Sequence, residues 1–301
     1  MNAAFQFLRA TPAGSDAPAS RLNVNLQLSI LLRPASPLGN TMKISLPAAI
    51  VVLCATFTTS LPVQAEDTNI GVGAKPIAGA EMILDGSRQM LEEKWTYWEG
   101  PRFGSALPIK WKIVNDPVDQ GTVVQTDDPV AAGGKYGAAD IVTKKAYRDF
   151  RLHIEFAIMN TNGNSGVYLQ NRYEIQVCDS DKTSHGMGAV INETASPYHL
   201  YTGLGKWNAY DINFRAARFQ DGKLTEKARV SMYFNGTKVH TNVPIAQVWG
   251  GPNSGIDGGN DGGKGITDAP GGLKLQCEGH DVRYRNVWIK EVDLRDANTD
   301  F

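Results

Sequence analysis

Residues 164–180, NSGVYLQNRYEIQVCDS, place several amide and carboxylate side chains on two short strands. The alternation of apolar and polar residues predicts a hairpin that turns at Asn171-Arg172, with one apolar face directed at a core. The other face carries Tyr168, Gln170, Glu174 and Gln176. A carboxylate among amides on one exposed face could line a cleft and move a proton. A solvated outer strand face with no function would show the same pattern.

Other polar residues could join this group. Asn164 opens the hairpin, and Asp179 closes it. Strict alternation puts Asp179 on the core side, but a β-bulge near Cys178-Asp179 would turn its carboxylate back to the polar face. His280 and Arg283 lie in LQCEGHDVRYRN, where Arg283 alternates with apolar neighbours.

The elements that must position these residues are strands. DFRLHIEFAIM alternates cleanly, with Phe150, Leu152, Ile154, Phe156 and Ile158 on one face. WNAYDINF repeats that pattern, and ARVSMYFNGTKVHTNV predicts two strands joined at Asn235-Gly236, a typical hairpin turn. No run shows a helical period. Many short strands separated by turn residues predict an all-β fold, a jelly-roll β-sandwich. The outer face of one of its sheets would then form the site.

The N-terminal part has the features of an export signal. MKISLPAAIVVLCATFTTSLPVQA, residues 42–65, has one lysine, an apolar run and a cleavage site of the A-x-A kind. The apolar run is shorter than the roughly 20 residues of a membrane span. We therefore expect cleavage after Ala65 and a periplasmic or secreted protein with one domain over residues 66–301. Residues 1–41 are then an upstream extension before the true start at Met42, or alternatively a disordered leader.

Composition excludes some classes of partner. The chain has 30 Lys and Arg against 31 Asp and Glu. It therefore has no excess of basic residues, and its composition does not predict binding to nucleic acid. Beyond residue 65 the cysteines are Cys178 and Cys277, which could pair in an oxidising compartment or remain buried thiols. The sequence has no His/Cys spacing for zinc, no phosphate-binding glycine loop and no G-x-S-x-G nucleophile motif.

Four stretches together resemble a known family. They are NSGVYLQNRYEIQVCDS, GMGAV, KWNAYDINFRAARFQDGKLTEKARVSMYFNGTKVHTNV and GGLKLQCEGHDVRYRNVWIKEV. In order and spacing they are similar to the bacterial 3-keto-disaccharide hydrolases, also described as 3-keto-glucoside 1,2-lyase/2-hydroxy-glucal hydratases. The resemblance covers about residues 78–293 and implies a concanavalin A-like jelly roll. The sequence departs from the family where LQCEGH replaces LQDHG, which displaces His280 by about one position.

This resemblance implies a reaction and a set of roles. A ketone at C3 of the sugar makes the C2 proton acidic, and the enolate formed by its removal expels the leaving group at C1. Water then adds to the 2-hydroxyglycal, which gives net hydrolysis. Glu174 would be the base or the water activator, with Asp179 and His280 as its partners in proton transfer. The residues that would bind the hydroxyls and the C3 carbonyl are Asn164, Gln170, Arg172, Gln176 and Arg283. A divalent metal could polarise the keto group, although no ligand spacing demands one. A sugar 3-dehydrogenase could supply the oxidised substrate.

Two other functions remain open at the level of sequence. A conventional glycosidase would use Glu174 and Asp179 as its carboxylate pair, although Gln176 stands where a further acid would help. A non-catalytic carbohydrate-binding module would use the same polar face without turnover.

Overall fold

The computed structural model describes residues 69–98, 108–127, 139–179, 183–248 and 265–301, all within the compact unit Pro62–Phe301. The predicted signal peptide and the segment before it lie outside these residues. The strands and the one helix in the described ranges are, in chain order, β1 Glu81–Leu84, α1 Arg88–Lys94, β2 Trp95–Tyr97, β3 Lys112–Asn115, β4 Thr122–Gln125, β5 Ile141–Thr143, β6 Phe150–Ile158, β7 Asn164–Leu169, β8 Tyr173–Cys178, β9 Asn208–Arg215, β10 Arg218–Gln220, β11 Lys223–Glu226, β12 Ala228–Phe234, β13 Thr237–Ile245, β14 Lys274–Leu275 and β15 Val282–Glu291.

The strands form two antiparallel sheets and a small ribbon. The larger sheet has the order β13-β12-β9-β6-β15-β4-β3, with β1 added beside β15. The smaller sheet has the order β2-β5-β14-β7-β8, and β10 pairs with β11 separately. The predicted all-β sandwich is confirmed. In the smaller sheet β14 is inserted between β5 and β7, so residues far apart in the chain become neighbours.

The core lies between the two sheets. Tyr173 of β8 packs on Phe214 of β9 with ring centroids 5.6 Å apart. The hydroxyls of Ser165 on β7 and Tyr284 on β15 are 2.6 Å apart, and both residues are fully buried. The alternating apolar residues of β6 all belong to this core. These core side chains define the inner face of each sheet. The alternate side chains of each strand therefore point outward.

Two local predictions need correction. The helix α1 was not expected, because its seven residues are too few to show a period; Ser87 caps it by accepting a hydrogen bond from the Met90 amide at 3.1 Å. The hairpin turn lies one residue earlier, since Gln170 and Asn171 have the positive φ values 53° and 55°. Of the two alternatives left open for Cys178 and Cys277, a disulfide or two thiols, the structure has two buried thiols.

The part of the chain that the structure describes contains no helix with the length and hydropathy that a membrane span requires.

Candidate functional site

Glu174 lies on β8, the last strand of the smaller sheet, on the face turned away from the core. It pairs directly with Tyr168 across β7 and β8, and Tyr168 pairs in turn with Lys274 of β14. Directly paired residues point to the same face of a sheet. The glycine at 166 leaves room for the glutamate, because a Cβ there would come within 2.4 Å of Glu174 Oε1. We call this the Glu174 face.

Burial changes the acidity of Glu174. The residue is only 5% exposed, and burial raises the pKa of its carboxyl group to about 8. A hydrogen bond from Tyr168 and the charge of Lys274 lower the pKa but do not reverse the shift, while Glu278 and Asp140 add to it. At neutral pH the carboxyl group is mostly protonated. Glu174 can therefore give up a proton, and accept it back, near physiological pH.

A buried ion pair stands beside Glu174. Lys274 Nζ lies 2.9 Å from Asp140 Oδ2. The ammonium also lies over two aromatic rings, 3.8 Å from the centroid of Tyr168 and 4.7 Å from that of Trp98. Asp140 is held further by the amide of Cys277 at 2.8 Å. This arrangement fixes a positive charge and the Tyr168 hydroxyl next to the Glu174 carboxyl group.

A second glutamate completes the accessible side of the face. Glu278 accepts hydrogen bonds from Asn164 Nδ2 and, at 3.0 Å, from Gln276 Nε2. Gln276 also bonds to the Tyr168 hydroxyl at 3.3 Å. Asn164, Gln176 and Glu278 are partly exposed, whereas Glu174 is buried. The Glu174 face therefore offers accessible amides and a carboxylate together with a buried carboxyl group.

The structure brings together only some of the residues chosen from sequence. Asn164 and Gln176 lie on the Glu174 face. Gln170 does not, because the earlier turn moves it to the hairpin tip, where its amide donates to the carbonyls of Tyr147 and Arg148 at 3.1 Å each. Arg172 lies at the same tip and bonds to the carbonyl of Gln170.

The expected bulge that would bring Asp179 to Glu174 is absent. The pairing of β7 with β8 is regular from Leu169↔Tyr173 to Asn164↔Cys178, and the Asp179 amide continues it with Gly163 O at 3.3 Å. Asp179 therefore stays on the opposite side of the strand from Glu174. Five residues of extended chain separate the two by roughly 16 Å.

Arg283 also lies apart from Glu174. Arg283 is on β15 of the larger sheet, between the core residues Val282 and Tyr284, and it bonds to the Asp281 carboxylate at 3.2 Å. It therefore points outward on the other side of the sandwich. The backbone carbonyl of His280 accepts a hydrogen bond from Thr126 at 2.6 Å, and no hydrogen bond joins its ring to the described residues of the Glu174 face.

Sequence reasoning missed Lys274, Gln276 and Glu278. They alternate in GLKLQCEGH just as the hairpin residues do, so the same signal was present in β14. Asp140 could not be predicted in this way, because it precedes the short β5 and nothing in its local sequence marks it.

A second polar cluster lies on the outer face of the larger sheet. His153 contacts Asp211 at 2.7 Å and Glu155 at 3.3 Å, and Arg285 binds Glu155 at 2.8 Å. Burial opposes the charge of His153, but the two carboxylates outweigh it and raise the pKa of the ring. Gly73 N also donates to Glu155. These groups satisfy one another and tie the segment before β1 to the sheet, which indicates a structural role.

Within the described residues, no group of three or more His, Cys, Asp or Glu side chains is arranged to hold a metal ion.

Comparisons with known proteins agree with this fold and identify its family. The model of the 3-keto-alpha-glucoside-1,2-lyase-like domain matches residues 81–290. The match spans most of the chain and lies inside the region that the sequence motifs indicated. The chain belongs to this family, and it is a carbohydrate-active domain.

A solved structure from Parabacteroides distasonis, provisionally assigned as a glycosyl hydrolase, shows the same fold. It is 24% identical, with a TM-score of 0.52 and coverage of 71% of this chain and 84% of that one. A second from the same organism, with the same provisional assignment, is 19% identical, with a TM-score of 0.47 and coverage of 71% and 94%. A search of curated proteins found no significant match.

Proposed function

We propose that this protein cleaves 3-keto-glycosides by elimination followed by hydration, and that Glu174 is its central proton-transfer group. The observation that carries the proposal is the position of Glu174, buried on the outer face of the smaller sheet with a pKa raised to about 8. Membership of the 3-keto-alpha-glucoside-1,2-lyase-like family supplies the substrate class.

The protonation of Glu174 suggests how the elimination would run. Glu278, the partly exposed carboxylate on the same face, removes the proton from C2, and the electron pair forms an enolate with the C3 ketone. The enolate expels the C1 substituent while Glu174 donates its proton to the departing oxygen. The products are the 2-hydroxyglycal and the free alcohol.

Hydration reverses these proton movements. Glu174 is then a carboxylate and takes a proton from the water that adds to C1, while Glu278 returns its proton to C2. Both carboxyl groups end in their starting states. The Lys274 ammonium and the Tyr168 hydroxyl act as positioning groups, since they hold Glu174 in place and ease its ionisation after the proton has left.

A conventional glycosidase would use Glu174 and Asp179 as its carboxylate pair, and their positions do not support this hypothesis. Such enzymes need two carboxyl groups about 5–9.5 Å apart, and Glu174 and Asp179 point to opposite sides of their strand. A binding module without turnover would not need a carboxyl group whose pKa lies close to neutral pH.

An activity screen with matched oxidised and unoxidised glucosides tests the proposal. The protein should release the free 3-keto sugar from the oxidised compounds and leave the unoxidised ones intact. Cleavage of unoxidised sugars would support a glycosidase instead, and binding without turnover would support a carbohydrate-binding module. The ketone itself must come from an oxidation at C3, so we expect a sugar 3-dehydrogenase to act earlier in the same pathway.

A further inference from the structure

The hairpin tip next to the Glu174 face contains a buried cation without a counter-ion. Arg172 is 6% exposed. Among the described residues no carboxylate lies within 4 Å of its guanidinium group; its hydrogen bonds go to the backbone carbonyls of Gln170, at 3.1 Å, and Ala269, at 3.4 Å. Carbonyl groups satisfy donors but do not neutralise a charge, and a buried unpaired charge is costly. Burial accordingly lowers the pKa of Arg172.

The free side of this guanidinium group has a defined geometry. Both hydrogen bonds use Nη1, whereas Nε is buried without a partner and Nη2 bonds to none of the described residues. Nε and Nη2 form one edge of the planar group, and that edge matches the two oxygens of a carboxylate.

Two unpaired acceptors belong to the same hairpin turn as Arg172. Gln170 Oε1 and Asn171 Oδ1 are buried and have no hydrogen-bond partner. The Gln170 amide cannot be reversed without loss, because its Nε2 already donates to two carbonyl groups. Its oxygen is thus left to accept a hydrogen bond, as sugar hydroxyls would provide. Buried polar atoms without partners are rare in folded proteins, and each needs an explanation.

From this geometry we infer that Arg172 binds a carboxylate carried by the sugar, so that the protein acts on acidic glycosides such as uronides. The inference rests on the proposed function to the extent that it places the sugar on the Glu174 face. Arg172 lies at the hairpin tip, just before β8 and two residues before Glu174, about 7 Å along the backbone. A sugar unit bound between them would have to span this separation. Gln170 and Asn171 would accept hydrogen bonds from its hydroxyls.

A binding experiment tests this without turnover. Methyl glucuronide, methyl glucoside and inorganic phosphate are each titrated into the protein by calorimetry. The glucuronide should bind at least tenfold more tightly than the other two. Arg172→Lys keeps a positive charge but loses the planar fork, so it should lose most of that preference. Arg148→Gln, which removes a neighbouring exposed arginine, should retain it, and melting temperatures should show that both variants are folded.

Three results would overturn the inference. The glucoside could bind as tightly as the glucuronide, the preference could survive Arg172→Lys, or phosphate could bind as well as the sugar acid, which would indicate a general anion site. Because the probes are unoxidised and only binding is measured, failure here does not affect the elimination reaction. Failure of the reaction likewise leaves the binding result unchanged.

Discussion

Lys274 and Asp140 form an ion pair with a separation of 2.9 Å, and each residue is only 1% exposed. The pair joins β14 to the residue before β5 and stands beside the Tyr168 ring and Glu174. A buried pair of this kind contributes little net stability as a unit, but removal of one partner leaves the other charge uncompensated.

Lys274→Met should therefore destabilise the protein by about 3–5 kcal/mol. Lys145→Met is the matched control, because Lys145 makes its ion pairs with Glu81 and Glu291 at a half-exposed position. Its loss should cost below about 1 kcal/mol. Urea unfolding of both variants measures the difference. Equal effects would show that the Lys274 pair is not desolvated as the structure indicates.

The stability of the protein should depend on pH through Glu174. The folded pKa of about 8 lies above the ordinary value of 4.5, so between these values the folded state keeps a proton that the unfolded chain releases. Each unit of rising pH in that window should cost about 1.4 kcal/mol of stability. Glu174→Gln removes this dependence, so its stability relative to the wild type should grow from pH 5 to pH 8. Urea unfolding at several pH values checks this, and a difference that stays constant with pH would contradict the raised pKa.

The two carboxylates proposed as partners of Glu174 can be separated by isotope exchange. We expect the wild type in D₂O to place deuterium at C2 of the product. Glu278→Gln keeps the acceptor for Asn164 but removes the base, so turnover and exchange should fall on the order of 10²- to 10⁴-fold. Asp179→Asn should leave exchange in place, because Asp179 lies on the other side of the strand. The reverse pattern, measured by NMR of the product, would assign the role of base to Asp179 instead of Glu278.

Export is a separate prediction. When expressed in a Gram-negative host, the protein should be recovered from the periplasm with Glu66 as its first residue, because residues 42–65 have the features of a cleaved signal. N-terminal sequencing gives the answer directly. A cytoplasmic product that retains Met1 would rule out the signal.

Periodicity predicted which side of each strand faces the core, but not which sheet a strand joins. For this reason the sequence predicted that the apolar residues of β6 face the core and that Glu174 points outward. The same reasoning joined Arg283 to Glu174, although β15 lies in the other sheet. Lys274 and Glu278 were not predicted, because no local pattern specifies that β14 inserts between β5 and β7. Only this long-range pairing brings them to the Glu174 face.

The displacement of Gln170 has a more local cause. The turn begins one residue earlier than expected because Gln170 itself adopts a positive φ, a conformation that sequence rules assign to Gly, Asn or Asp. Tertiary hydrogen bonds to Tyr147 and Arg148 hold it there.

Turnover by Glu174→Gln on a 3-keto-glucoside tests the proposed role of Glu174 directly. Glutamine preserves the size of the side chain and a hydrogen bond with Tyr168, but it cannot transfer a proton. We expect turnover to fall on the order of 10²- to 10⁴-fold while the melting temperature at neutral pH stays the same or rises. Turnover like that of the wild type in a folded Glu174→Gln variant would contradict the central role of Glu174.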